Sequence, residues 1–377
     1  MSSAGTIRPA DAPFDTLADA RDWYAAWLAK VALPVWAKAG FDPELDLFQE
    51  NLTSTGGPLS PQRRARVQAR QVWVYCKAAV LGVGEPRLDL ACAAYASFVD
   101  RYRRPDGLYR MSIDDQGSPL DDTAYLYEQA FALLVMAAMR EADGENPLPL
   151  AQAGALRQAI EAFRHPGPGF REAGQHSYQA NAHMHLLEAA LAWEELGETS
   201  WGALSDEIVA LARARFIDPA GGFLREFYDS AWLPSPGDDG RMIEPGHQFE
   251  WAWLLDRWAR RRSDAWAAEA SRGLFAAGLA GVDRRRMVAV NGLWADLGAR
   301  DANARLWPQT EYLKAALALG FDHEALVAAK GLWAYLDAPI AGAWRDTERP
   351  DGSFVDEPAP ASSLYHIAGA CFRLLEA

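Results

Sequence analysis

The sequence of 377 residues predicts an all-α fold, an (α/α)6 barrel of six helical hairpins with inner and outer rings of six helices. Three observations predict it. Apolar residues recur at i, i+3, i+4 and i+7 through most of the chain, and alternating strand-like runs are short. The links between helical windows alternate between long and short. Polar or aromatic residues recur on every second helix at a near-constant interval.

The helical windows fall at 14–38, 61–83, 85–103, 121–142, 147–164, 177–197, 199–216, 245–261, 263–281, 305–320, 321–337 and 361–376. Long links follow the odd-numbered windows. Most carry a glycine and then an apolar residue: Gly40-Phe41, Gly107-Leu108, Gly169-Phe170, Gly222-Phe223, Gly292-Leu293, and a variant at Gly342-Ala343-Trp344. The links after even-numbered windows are mostly short, so each even window forms a hairpin that needs its neighbours to bury its apolar face. On the even windows stand Arg70, Tyr127, His185, His247, Trp307 with Glu311, and His366. They are spaced 57, 58, 62, 60 and 59 residues apart when Trp307 represents the fifth. Six inner helices would each deliver one such group to a shared cavity.

No linker is biased enough in composition to mark a boundary, so residues 1–377 are expected to form a single domain. The stretch Leu233–Gly240 (LPSPGDDG) is expected to be a flexible loop near the cavity mouth. No run of 18 apolar residues suggests a membrane span, and the opening MSSAGTIRPADAPF lacks a signal-peptide pattern, so a cytoplasmic location is expected. A net charge of −14 without a lysine-rich run argues against nucleic acid and mildly against phosphorylated substrates. Cys76, Cys92 and Cys371 lie far apart and read as buried free thiols. Fifteen tryptophans exceed ordinary usage; most belong to the core, and a subset can stack on sugar rings.

Seven histidines limit the chemistry. His165 and His323 sit at helix ends and read as surface residues. Asn181, His185 and Glu188 share one helical face, whereas His183 and His185 diverge around the helix and cannot jointly hold a metal. His185 taken alone also reads as a satisfied core histidine. His247 follows Pro245-Gly246 and lies in the first turn of its helix, with Glu250 one turn further on the same face. That carboxylate can orient the imidazole. His366 is expected in the first turn of the last helix. Two such histidines suit proton transfer near neutral pH. They are expected to flank one ligand-sized gap, with rings no more than roughly 12 Å apart. Arg70, on an inner helix, requires an anion or several acceptors. It can stabilise a developing oxyanion, or pair with Glu250 or Glu311. No phosphate loop, dinucleotide fingerprint or nucleophile elbow follows a strand, so neither a metal nor a nicotinamide cofactor is expected.

Together, Arg70-Gln-Val-Trp-Val-Tyr, Leu126-Tyr127-Glu-Gln-Ala-Phe, Asn181-Ala-His-Met-His185-Leu-Leu-Glu188-Ala, Pro245-Gly-His247-Gln-Phe-Glu250-Trp251, Trp307-Pro-Gln-Thr-Glu311 and Tyr365-His366 resemble the N-acylglucosamine 2-epimerase superfamily. The segments occur in order over roughly residues 65 to 370. The resemblance implies an (α/α)6 barrel and a sugar isomerase or epimerase without cofactor. It implies His247 and His366 as the acid/base pair and Arg70 at the sugar's reactive oxygens. It further implies Asn181, His185 and Tyr127 as hydroxyl-binding residues, Glu250 as the partner of the histidine one turn earlier, and Trp307 as a stacking residue. Glu311, in the same segment as Trp307, joins the substrate-binding set. Trp251, where epimerase members tend to carry a small residue, places the chain with the isomerases of mannose type.

The resulting expectation is aldose–ketose interconversion of an unphosphorylated hexose, mannose and fructose first, through an enediolate. The alternatives are a 2-epimerase of cellobiose or N-acylglucosamine type, an inverting glycoside hydrolase using Glu250 and Glu311, and a non-catalytic sugar-binding protein. The expected partner is a small-molecule sugar, with homo-oligomerisation left open.

Overall fold

The computed structural model describes residues 9–377. Helix α1 begins as Leu17–Trp27, widens through Leu28–Ala32 and continues as Leu33–Lys38. The others are α2 (Ala65–Leu81), α3 (Leu88–Tyr102), α4 (Leu126–Ala142), α5 (Leu148–Ala159), α6 (Ala180–Glu195), α7 (Gly202–Leu211), α8 (Pro245–Arg262), α9 (Ala265–Leu279), α10 (Leu306–Leu319), α11 (Asp322–Leu336) and α12 (Ser362–Glu376). The strands, all in the links, are only two or three residues long.

Packing divides the chain into two compact units. One comprises Ala37–Glu50 and Pro58–Arg241, the other the residues up to Trp36, Asn51–Gly57 and Met242–Ala377. In the first, α2 packs on α4 and α4 on α6, and each carries its hairpin partner α3, α5 or α7. In the second, α8 packs on α10 and α10 on α12. Here α9 and α11 complete two hairpins, and α1 lies against α12 as the third.

Burial separates the two kinds of helix. In α4 every residue from Glu128 to Met139 is buried, and in α10 every residue from Pro308 to Ala316. A helix apolar on all sides is surrounded on all sides. The helices α3 and α5 bury one stripe each: Ala91, Ala94, Tyr95, Phe98 and Tyr102 in α3, and Pro149, Ala153 and Leu156 in α5. That one-sided pattern suits an outer layer.

The starts of the inner helices are held by a recurring device. The fourth residue of α2, α4 and α10 is a glutamine, and its amide forms a two-way clamp with a backbone amide of the preceding link. Gln68 Oε1 accepts from Phe48 N–H (2.7 Å) while its Nε2 donates to Phe48 O (2.9 Å). Gln129 clamps Tyr109 and Gln309 clamps Ala289 in the same way. In α6 this position holds His183. Its Nε2 accepts from Phe170 N–H (3.0 Å), which leaves Nδ1 as the donor to Gln179 O (2.9 Å). Burial pushes the His183 pKa down to about 4, so the neutral ring persists at physiological pH. Its position is therefore structural. Gly169, in the same link at φ +84°, has no room for a Cβ beside His183 and Leu211.

Carboxylates satisfy free amides at the helix starts. Glu50 accepts from Arg64 N–H, and Glu128 from Arg66 N–H (2.6 Å). Glu172 accepts from Leu126 and Tyr127 N–H at 2.6 and 2.9 Å. Burial pushes the Glu172 carboxyl up to about 7 against the opposing pull of those amides. The segment 233–240 is a largely exposed loop with two local ties. Arg225 donates to Gly240 O (2.9 Å), and Asp239–Arg241 closes a short helical turn.

Gly331, inside α11, supplies one test of the packing. A Cβ there would overlap the carbonyl oxygen of Met287 on the facing link. Gly→Ala in an open helix gains roughly 1 kcal/mol. Here overpacking outweighs that gain, and Gly331→Ala is expected to destabilise by about 1–3 kcal/mol. A melting temperature at or above that of the wild type would contradict the close approach.

Candidate active site

Counted from its helix start, the sixth residue is Arg70 in α2, His185 in α6, Glu250 in α8 and Glu311 in α10. The second residue is Arg66 in α2, Tyr127 in α4, Asn181 in α6 and Trp307 in α10. Positions two and six are one turn apart on one face. The candidate residues thus occupy two levels of a common register near the helix N-termini.

In the first unit, Arg70 Nη2 donates to the Tyr127 hydroxyl (2.8 Å), and its guanidinium lies 4.2 Å from the Phe131 ring centroid. His185 packs edge-on against Tyr127 (5.0 Å between centroids) and against Phe131 (4.5 Å). Its Nδ1 lies 3.2 Å from Glu188 Oε2, which suits Nδ1 as the donor to that carboxylate. Arg70, Tyr127 and His185 therefore form one contiguous surface. Asn181 stands one turn before His185, and its buried Oδ1 meets no hydrogen-bond donor among the described residues. A buried acceptor in that state suits a ligand hydroxyl. Arg66, over the Tyr127 ring, is engaged in an ion pair with the buried Glu128.

In the second unit, both imidazoles of the expected pair lie against the half-buried Trp307 indole. The centroid separations are 5.0 Å for His247 and 5.8 Å for His366. Those separations hold the two rings within the span of a small sugar. Gly246 makes this possible, because a Cβ there would strike the Trp307 ring.

Each histidine has a carboxylate at Nδ1. For His247 one such carboxylate is Glu244 (3.5 Å), one turn earlier. For His366 it is Glu311, whose Oε1 is 2.8 Å from Nδ1. Glu311 differs from its expected place at the sugar. Its side chain is 0% exposed and its Oε1 faces the His366 ring. Around the same carboxylate, Lys314 Nζ lies 2.8 Å from Oε2 and 3.0 Å from Oε1, and Trp253 Nε1 donates to Oε2 (2.9 Å). Burial alone would raise the Glu311 pKa. Lys314 and His366 outweigh burial and hold the carboxyl well below the ordinary range.

The helix start corrects another expectation. His247 is the third residue of α8, within its first turn, but His366 is the fifth residue of α12, because that helix begins at Ser362. The end-of-helix field falls off within one turn. It acts on His247, while His366 is governed by Glu311. Trp251 is fully buried in α8. Glu244, Lys314 and Trp253 were missed in the sequence. The available signals were a carboxylate three residues before His247 and a cation three residues after Glu311.

A sequence model described as N-acylglucosamine 2-epimerase (GlcNAc 2-epimerase) matches residues 47–370. The chain belongs to this family. The match spans every inner helix and makes the protein a sugar isomerase or epimerase. A relative from Rhizobium meliloti (strain 1021), named mannose-6-phosphate isomerase, is 42% identical over 368 residues, covering 93% of this chain and 95% of its own. Among solved structures, cellobiose 2-epimerase from Bacillus thermoamylovorans B4167 superposes with a TM-score of 0.84 at 20% identity, over 94% of this chain and 98% of that one. A D-mannose isomerase superposes with a TM-score of 0.83 at 19% identity, over 97% and 99%. At those identities the likeness establishes the fold, and this family member is an (α/α)6 barrel.

Proposed function

We propose that this family member interconverts an aldose and a ketose of an unphosphorylated hexose, with mannose and fructose as the leading pair. The observation that carries the reading is the placement of His247 and His366 against one indole, each with Nδ1 at a carboxylate. Such a carboxylate keeps the proton on Nδ1, so Nε2 is the nitrogen that exchanges protons with a ligand. Trp307 stacks on the sugar. After ring opening, one Nε2 takes the C2 proton, and the C–H electron pair moves through C2–C1 onto the carbonyl oxygen. The enediolate regains a proton at C1, and the proton of the C2 hydroxyl passes to the C1 oxygen as C2 becomes the ketose carbonyl. Arg70, already bonded to the Tyr127 hydroxyl, steadies the developing oxyanion, a role worth about 3 kcal/mol. Tyr127, Asn181 and His185 take the sugar hydroxyls, and Glu250 completes the same register.

The name of the Rhizobium relative favours a second reading, mannose 6-phosphate. A phosphate needs cations, and three arginines at the inner-helix starts face carboxylates of their own. Arg64 pairs with Glu50, Arg66 with Glu128 and Arg305 with Asp346. That pattern favours the neutral sugar.

Protein dialysed against EDTA, incubated separately with mannose, glucose, fructose, lyxose, cellobiose and mannose 6-phosphate, discriminates the readings. Fructose from mannose is the expected product. Glucose from mannose, or epimerised cellobiose, would assign a 2-epimerase. Turnover of the phosphate ester alone would establish the second reading. Absence of any ketose from every aldose would end the isomerase reading, as would activity that returns only on adding a divalent metal.

A further inference from the structure

The Glu311 carboxylate also carries a buried cation that the proton-transfer scheme does not use. Lys314 is 8% exposed, one turn after Glu311 in α10, and its ammonium lies over the Trp253 ring at 4.3 Å and 6.0 Å from the Tyr365 ring. A lysine buried at this depth is costly unless its charge is answered. Glu311 answers it, at 2.8 Å to one oxygen and 3.0 Å to the other. The same carboxylate holds His366 Nδ1 at 2.8 Å and accepts from Trp253 Nε1. Three donors from three helices thus converge on one anion.

We propose that Lys314 is a positioning residue for proton transfer, acting through Glu311 to keep the His366 imidazole neutral and therefore basic. The inference rests on the reading of His366 as an acid/base group. The reason is charge balance. A histidine facing a lone buried carboxylate is balanced as imidazolium–carboxylate, a form that holds its proton. With Lys314 present, the carboxylate is already neutralised, and a proton on His366 would leave a net positive charge in a low-dielectric site. Removing the Lys314 charge shifts that balance in one direction, whatever else faces His366. Tyr365 and Trp307 contribute rings at His366, Trp253 donates to the same carboxylate, and His247 packs on the same Trp307 ring. From α1, packed against α12, Tyr24 donates its hydroxyl to Ala329 O, and burial keeps that phenol protonated.

The test is the His366 titration, followed by NMR of ring-labelled full-length protein and assigned by its loss in H366N. In Lys314→Met the His366 pKa is expected to rise by about one unit or more. Where sugar turnover is measurable, the acid limb of kcat/KM should move upward by the same amount, with activity recovering at alkaline pH. Lys314→Arg should restore both profiles toward wild type. Should Lys314→Met not fold, Trp253→Phe removes another donor from Glu311 and is expected to raise the pKa in the same direction. An unchanged His366 pKa in the folded variant would overturn the role of Lys314. A raised pKa in a protein that turns over no sugar would uphold Lys314 and remove the isomerase reading instead.

Discussion

His366→Ala and His247→Ala are each expected to lower kcat by about a hundredfold or more, with the far-ultraviolet spectrum and melting temperature close to wild type. The imidazoles lie 5.8 and 5.0 Å from the Trp307 ring, so both can reach a sugar stacked there. Both have a carboxylate at Nδ1, which leaves Nε2 for the reacting carbon. If isomerisation runs on one face of the enediolate, one histidine is the base and the other handles ring opening or the hydroxyl protons. Single-turnover measurements with C2-deuterated mannose separate these roles, since only the base variant loses the isotope-sensitive step. Near-normal turnover in His366→Ala would remove that residue from the chemistry, whatever the product.

Glu311→Gln is expected to be the most destabilising conservative change at the site. It leaves Lys314 buried without its counter-charge, a loss that costs about 3–5 kcal/mol. It also replaces the acceptor for Trp253 and His366 by an amide that offers one acceptor oxygen. The double variant Glu311→Gln/Lys314→Met should recover much of the stability but not the activity, because the stranded charge is gone while His366 still lacks its carboxylate. Recovery of neither would mean that packing, and not charge, holds the cluster. The pH dependence has a definite sign. The folded carboxyl is held below its ordinary pKa of 4.5, so its stabilisation is complete above that value and is lost only as the pH falls beneath it. Glu311→Gln should therefore flatten the acid side of the stability curve and leave its neutral side lowered throughout.

The inner helices were legible because their chemistry is periodic. Arg70, His185 and Glu311 stand two hairpin periods apart, at intervals of 115 and 126 residues, and the structure puts all three at the sixth position of a helix start. Periodicity marks which helix face a residue occupies. It says less about what stands behind that face. Glu311 reads in the sequence as one more polar group for the cavity, and only the structure shows it completely buried with Oε1 facing the His366 ring. Glu244 precedes α8 and falls outside any helical pattern, so its approach to His247 depends on how the chain enters the helix.

The sequence by itself determined the twelve helices, the order of the hairpins and the family, because each follows from local spacing and residue type. Tertiary structure alone decided the wiring of the site. The closeness of His247 and His366 to one indole, the convergence of Lys314, Trp253 and His366 on one carboxylate, and the replacement of a glutamine clamp by His183 each join different helices or a helix to its link. Such contacts depend on side-chain direction and burial across tens of residues, which helical periodicity does not encode.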